Sequence, residues 1–286
     1  MCRHLAYLGP AVSLRKAIID PPYGLYRQAW APRMMRDSGT MNVDGFGVGW
    51  YTDGDPVPAR YRNAGPIWAD PSFADLTRVT RSGALLAAVR DASAGTEPGV
   101  SAASPFGADH WLFSHNGTLA GWPGTAAGLA ATLSPLELLN LDARVDSALL
   151  WALTLNRLRD GARPGDALAA VIGLLDVAGV AGRFNFLLTD GHVIAATAAG
   201  HTLFYRQGGA DGADHVTVAS EPADDDPAWT EIPDRSLLAA TAADVKIRPL
   251  PVPPEVTDDN AARVRHGSFP AGMAGTSSPD GRNPSQ

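Results

Sequence analysis

Cysteine occurs once in these 286 residues, as Cys2, and lysine only twice against 21 arginines. One cysteine excludes an internal disulfide and a cysteine-cluster zinc site. The arginines are scattered, and the net charge is −7, so nucleic acid is not an expected partner. No apolar run reaches the roughly 18 residues that a membrane span requires. The N-terminal stretch carries Arg3, His4, Arg15 and Lys16 and lacks the apolar core of a signal peptide. A cytoplasmic protein acting on a small molecule is the expectation, with oligomeric state left open.

Several motifs are also missing. Gly45, Gly47 and Gly49 in NVDGFGVGWY do not fit G-x-G-x-x-G, and no helix is expected after them, so a dinucleotide site is poorly supported. Ser13-Leu14-Arg15-Lys16 matches S-x-x-K, but S-D-N and K-T-G are lacking. The seven histidines form no H-E-x-x-H pair. Asp224-Asp225-Asp226 lacks the Gly and Glu of a calcium loop and reads as a solvated acidic turn. Neither a metal nor a cofactor is expected.

What is present is a chain with 45% hydrophobic residues, enough for a large core. CRHLAYLG reads as a strand ended by Gly9-Pro10, and FGVGWYT and PARYRNAG as paired strands. ALLAAVRDA and HWLFSHNGTLAGW each read as an apolar strand, the second broken by an Asn-Gly turn. DSALLWALTLNRLRDG predicts a helix with Asp146 as N-cap and Gly161 at its end, and DALAAVIGLLDVA a second helix. RFNFLLTDG, HVIAATAAG, HTLFYRQGG, HVTVAS and VKIRPL add later strands. Strands at both ends with helices between them indicate an α+β layered fold in one domain, residues 2–252. Residues 253–286 are rich in Pro, Gly, Ser and Asp and read as a largely disordered tail.

The position of Cys2 stands out. Removal of the initiator Met would leave it with a free α-amine, so that one residue would hold a thiol of pKa ~8.5 and a base of roughly 7.7–8.0. Other polar positions have innocent explanations. Asn116-Gly117 suits a type I′ turn, Asp146 suits a helix cap, and Arg90 suits a surface charge.

Together, CRHLAYLG, DGFGVGWY, AAVRDAS, FSHNGTL and DSALLWAL resemble the class II glutamine amidotransferases, which are N-terminal-nucleophile hydrolases. This resemblance covers roughly residues 2–160. Through RFNFLLTDG and VASEPADDDPAWTEIPDRSLL the chain further resembles the amidohydrolases of ergothioneine biosynthesis, which lack a synthase domain. The resemblance implies a single-domain four-layer α-β-β-α sandwich and hydrolysis of a γ-glutamyl amide, that of hercynylcysteine sulfoxide. It implies Cys2 as nucleophile with its own α-amine as base, and an oxyanion hole from Asn116 and the Gly117 N–H. It further implies Arg90 on the substrate α-carboxylate and Asp146 on its α-ammonium. His115 is expected to support the substrate site, and Trp229, beside Asp224, Asp225 and Asp226, to face the leaving group. One departure is clear: Arg90 is followed by Asp91-Ala92-Ser93-Ala94, where many amidotransferases have Trp-Ala-Thr-His, and this favours a leaving group other than ammonia. A glutaminase subunit feeding a separate synthase, or an inactive γ-glutamyl-binding module, are the alternatives.

Overall fold

The computed structural model describes residues 2–35, 41–93, 95–96, 98–208 and 212–251. These lie in one compact unit that closes at Val252. The expected tail, 253–286, lies outside the described residues.

Alternation along β1 (Arg3–Ser13) shows why the chain forms layers. Leu5 and Tyr7 enter one apolar cluster, whereas Ala6 and Leu8 enter another on the opposite face. A strand buried on both faces has to sit inside a stack. Its sheet is antiparallel and runs, in spatial order, Thr230–Glu231 (β11), Phe204–Gln207 (β9), Val216–Ala219 (β10), β1, Arg81–Val89 (β4), Phe46–Thr52 (β2) and Asp55–Asn63 (β3). The second antiparallel sheet runs Val245–Pro249 (β13), Ser236–Ala240 (β12), Ile194–Ala198 (β8), Gly182–Thr189 (β7), Trp111–Leu119 (β6) and Phe106–Ala108 (β5).

Three apolar clusters fill the three gaps between layers. Leu14 and Ile18 of α1 (Leu14–Ile18), Leu25 of α2 (Leu25–Gln28) and Phe73 of α3 (Pro71–Val79) pack on Leu5, Leu85 and Val89 of the first sheet. Ala6, Leu86, Leu112, Leu187 and Ala196 pack between the sheets. Two short helices, α4 (Ala127–Ala130) and α5 (Pro135–Leu139), lead into the longer α6 (Asp146–Arg159) and α7 (Pro164–Val177). Leu149, Leu153, Leu168 and Ile172 of that pair cover Phe113, Phe186 and Leu188 of the second sheet. The architecture is the α-β-β-α sandwich. A one-residue slip of β1 would exchange its two apolar faces, and each large side chain contributes ~1.5–3 kcal/mol by burial, so the register is strongly specified.

Local expectations fail at three points. β1 continues through Gly9-Pro10, which sits in an irregularity of the β1–β4 ladder between Leu8 and Val12. Asn116-Gly117 is not a turn: β6 runs on to Leu119, and Asn116 pairs with Asn185 of β7. Asp146 is not the N-cap of α6, because Val145 holds the extended cap conformation and Asp146 is the first helical residue.

Candidate active site

Cys2 immediately precedes β1, at the end of the first sheet where β4 finishes and β2 starts. Antiparallel pairing aligns Arg3 with Val89, Val89 with Phe46 and Phe46 with Asn63. The Cys2 thiol donates to the carbonyl oxygen of Asp91 at 3.7 Å, directly after Arg90. Burial pushes this thiol above its ordinary pKa, and nearby positive charge, Arg90 included, offsets that only in part. At neutral pH the sulfur therefore holds its proton, and attack on a carbonyl requires a base beside it.

Asn116 and Gly117 come from the second sheet. Asn116 is completely buried and donates from Nδ2 to Ser220 Oγ at 3.2 Å, while its carbonyl oxygen has no partner among the described residues. The N–H of Gly117 turns away from β7. Phe184, the residue opposite, donates to Ala199, and Leu119, two residues on, donates to the Asp146 carboxylate. Alternation of the ladder then aims the Gly117 N–H at the strand edge beyond the short β5. Gly117 is needed for close approach: a Cβ there would lie 1.8 Å from the Arg183 carbonyl oxygen and 2.5 Å from His115 Nε2.

Arg90 is nearly buried and already oriented. It donates from Nη1 to the Asp44 carbonyl at 3.1 Å and from Nη2 to Thr96 Oγ1 at 3.2 Å. The following loop folds back through Ala92 N–H to Asp44 Oδ2, and Ser93 Oγ reaches Thr118 of β6 at 3.4 Å. Asp146 is also buried; its two oxygens accept from the N–H groups of Leu119 and Ser147 at 2.9 and 2.8 Å. Contacts through Asp91, Ser93 and Thr118 thus link the loop after Cys2's neighbour Arg90 to the Asn116-Gly117 strand, and Leu119 links that strand to Asp146.

His115 and Trp229 do not join that group. His115 points to the helix side of β6, opposite to Asn116, with Nδ1 3.0 Å from Ser147 Oγ and Nε2 2.9 Å from the Arg183 carbonyl. It stacks near Phe184 and meets Phe186 edge-on, and its two ring nitrogens tie β6 to β7 and to the start of α6. Trp229 donates its indole N–H to Asp224 at 2.7 Å, and the Arg206 guanidinium lies 5.1 Å from its ring centre. The acidic loop is not left to solvent, since Arg206 pairs with Asp224 and Asp226 and Arg33 pairs with Asp225. Trp229, the three aspartates and Arg33 line a cleft of about 220 Å³ together with Met34 and Glu221.

Residues 28–208 match the family of class II glutamine amidotransferases. The chain belongs to this family. Over 252 residues it is 39% identical to a gamma-glutamyl-hercynylcysteine sulfoxide hydrolase of Mycolicibacterium smegmatis, covering 87% of this chain and 100% of that protein. A protein of the same name from Mycobacterium tuberculosis is 40% identical over 87% of this chain and 97% of its own length. The solved structure of a glutamine aminotransferase class-II domain protein from Silicibacter pomeroyi superposes with a TM-score of 0.63 at 24% identity, covering 88% of this chain and all of that one. This last likeness bears on the fold alone.

In this chain the inter-sheet gap also holds polar groups that the sequence does not single out. Ser220 accepts from the N–H of His4 at 3.0 Å as well as from Asn116, and its own N–H donates to the His4 carbonyl at 3.0 Å. It thereby couples β1 to β6. On the opposite face of β1, Arg3 lies 3.8 Å from Glu221, whose other oxygen accepts from the N–H groups of Arg33 and Met34. The only advance signal is the period-two spacing of Cys2 and His4 and the polar pair Ser220-Glu221 following the apolar strand VTVA.

His4 and His115 are expected to make the fold acid-sensitive. Burial drives the pKa of each ring down, His4 well below its ordinary value and His115 against the raising effect of Asp146. Because the folded values lie below the unfolded value of about 6.5, the unfolded chain takes up protons that the fold refuses. Stability contributed by these rings is complete above that pH and falls below it, by roughly 1.4 kcal/mol per pH unit for each ring that stays neutral. Urea midpoints at pH 7.5 and 5.5 should differ accordingly; equal midpoints would show that neither ring resists protonation.

Proposed function

We propose that this protein hydrolyses the γ-glutamyl amide bond of γ-glutamyl-hercynylcysteine sulfoxide, releasing glutamate and hercynylcysteine sulfoxide. The relatives named for that reaction align along nearly their whole length. The observation carrying the chemistry is the meeting of Cys2, Arg90, Asn116-Gly117 and Asp146 at one end of the sheets.

After removal of Met1, the Cys2 α-amine takes the thiol proton as sulfur attacks the γ-carbonyl carbon. The carbonyl π-electrons move to oxygen, and Asn116 Nδ2–H and the Gly117 N–H donate hydrogen bonds to the resulting oxyanion; such donors contribute about 2.7–4 kcal/mol each. Collapse breaks the C–N bond, and the α-ammonium returns its proton to the leaving amine. Water, deprotonated by the same amine, then attacks the thioester and frees glutamate together with the thiol. Arg90 grips the α-carboxylate in bidentate fashion, and Asp146 accepts from the α-ammonium. In this reading His115 and Trp229 support the substrate site by fixing β6 and the 220–234 loop.

The test is glutamate release by purified protein from glutamine and from the sulfoxide conjugate. Greater kcat/KM for the conjugate supports the assignment. Preference for glutamine would overturn it in favour of an ammonia-supplying glutaminase, and no turnover of either would leave only a binding module.

Asp146 has its own diagnostic. Removing one partner of a desolvated charge pair costs about 2–5 kcal/mol, at least ~30-fold. Asp146→Asn should therefore erase the preference for γ-glutamyl over glutaryl amides, which lack the α-ammonium. That ratio is internal to each variant, so lost stability cancels. An unchanged ratio would assign Asp146 to backbone bracing alone.

A further inference from the structure

Half-buried aromatic residues collect at one place outside the catalytic group. Tyr26 of α2, Trp30 just after it, Met41 and Trp68 line an open cavity of about 470 Å³ without any charged residue in its wall. Tyr26 and Trp30 meet at 86° with centroids 5.1 Å apart, and Trp30 and Trp68 meet at 85° and 5.4 Å. Their inner edges rest on the core that includes Ala29, Phe46 and Ile67. Perpendicular rings form a corner that presents more than one π-surface to an occupant. Arg27, on the exposed side, already places its guanidinium 5.5 Å from the Trp30 ring centre.

We infer that this aromatic corner receives a quaternary trimethylammonium group, the cationic end of the leaving half of the substrate. The inference rests on the function proposed above. A trimethylammonium has no N–H to donate, so carboxylates and carbonyls cannot hydrogen-bond to it, whereas the negative faces of aromatic rings attract it. The acidic loop around Trp229 is a poorer partner, since its aspartates are paired with Arg33 and Arg206.

Position supports the same assignment. Asn42 is buried and binds the corner to the catalytic end of the sheet, donating from its N–H to the Ala29 carbonyl at 2.7 Å. Met41 and Asp44 are three positions apart, an extended reach of at most roughly 11 Å. Asp44 in turn holds Arg90 through its carbonyl at 3.1 Å, and Asp91 contacts the Cys2 thiol. Corner and Cys2 therefore both lie at the end of the first sheet where β4 finishes and β2 starts, as one substrate reaching both requires. Trp68 reaches the same end because β3 finishes at Asn63, opposite Phe46.

The deciding experiment uses wild-type protein and two conjugates, the natural one and an isostere with C(CH3)3 in place of N(CH3)3+. The charged conjugate should show about tenfold higher kcat/KM, and Trp30→Leu and Trp68→Leu should each reduce that ratio toward one. The ratio is again internal to each protein. Equal kcat/KM for the two conjugates in wild type would overturn the inference without any variant. A ratio undiminished in both tryptophan variants would also overturn it, placing cation recognition elsewhere. If wild type does not hydrolyse the natural conjugate at all, the proposed function fails rather than the corner.

Discussion

Cys2→Ala protein should fold as the wild type does and release no measurable glutamate, a loss on the order of 10⁴-fold or more. The thiol is the only one in the chain, so no neighbouring sulfur can replace it. Among the described residues its hydrogen-bond partner is the Asp91 carbonyl at a long 3.7 Å, and it precedes β1 rather than pairing within it. Removal should leave the melting temperature unchanged. The same loss should follow from an N-terminal extension that leaves the thiol in place. Burial keeps the thiol protonated at neutral pH, and acylating its α-amine into a peptide bond removes the adjacent base. Intact mass should show that active protein lacks Met1, and a glutamine-like diazo ketone should label Cys2 alone. Full turnover by protein that retains Met1 would defeat the mechanism.

Gly117→Ala should lower the melting temperature by roughly 10 °C, corresponding to about 3–5 kcal/mol in a chain of this size. The new methyl group would meet the Arg183 carbonyl oxygen at 1.8 Å. That oxygen belongs to β7, paired with β6 along eight consecutive positions from Leu112 to Leu119, so backbone must move. Its bond from His115 would be lost in the same movement. Protein that still folds should lose a further 10²–10³-fold in kcat, because displacement of β6 takes the Gly117 N–H from its aim. Gly128→Ala is the contrast. It lies in α4 with nothing within 4 Å of the added carbon, and the change should be neutral or stabilise by ~0.5–1 kcal/mol. A Gly117→Ala protein with wild-type melting behaviour would refute the close-approach account.

Reading of the chain from local pattern succeeds where the pattern is itself the cause. The alternation of Leu5 and Tyr7 against Ala6 and Leu8 is a property of any strand, and it already requires covering layers on both sides. The spans of α6 and α7, the strands ending at Val89 and starting at Phe46, and the oddity of Cys2 follow in the same way. Asn116-Gly117 and Gly9-Pro10 mislead because turn preference is worth little against a ladder formed with a distant strand. The Asp146 cap misleads likewise, since its carboxylate reaches to Leu119 as well as to the helix start.

Tertiary structure alone decided which side chains act together. Ser220 reaches its partners across 216 residues to His4 and 104 to Asn116, and Arg206 neutralises aspartates that look free in the linear chain. The corner of Tyr26, Trp30, Met41 and Trp68 exists only after α2 and the end of β3 meet at one edge. Backbone periodicity is set by each residue and its neighbours, and so it can be read from order alone. Hydrogen bonds, ion pairs and ring contacts depend on distances of a few ångströms between segments, and those distances exist only after the sheets have stacked.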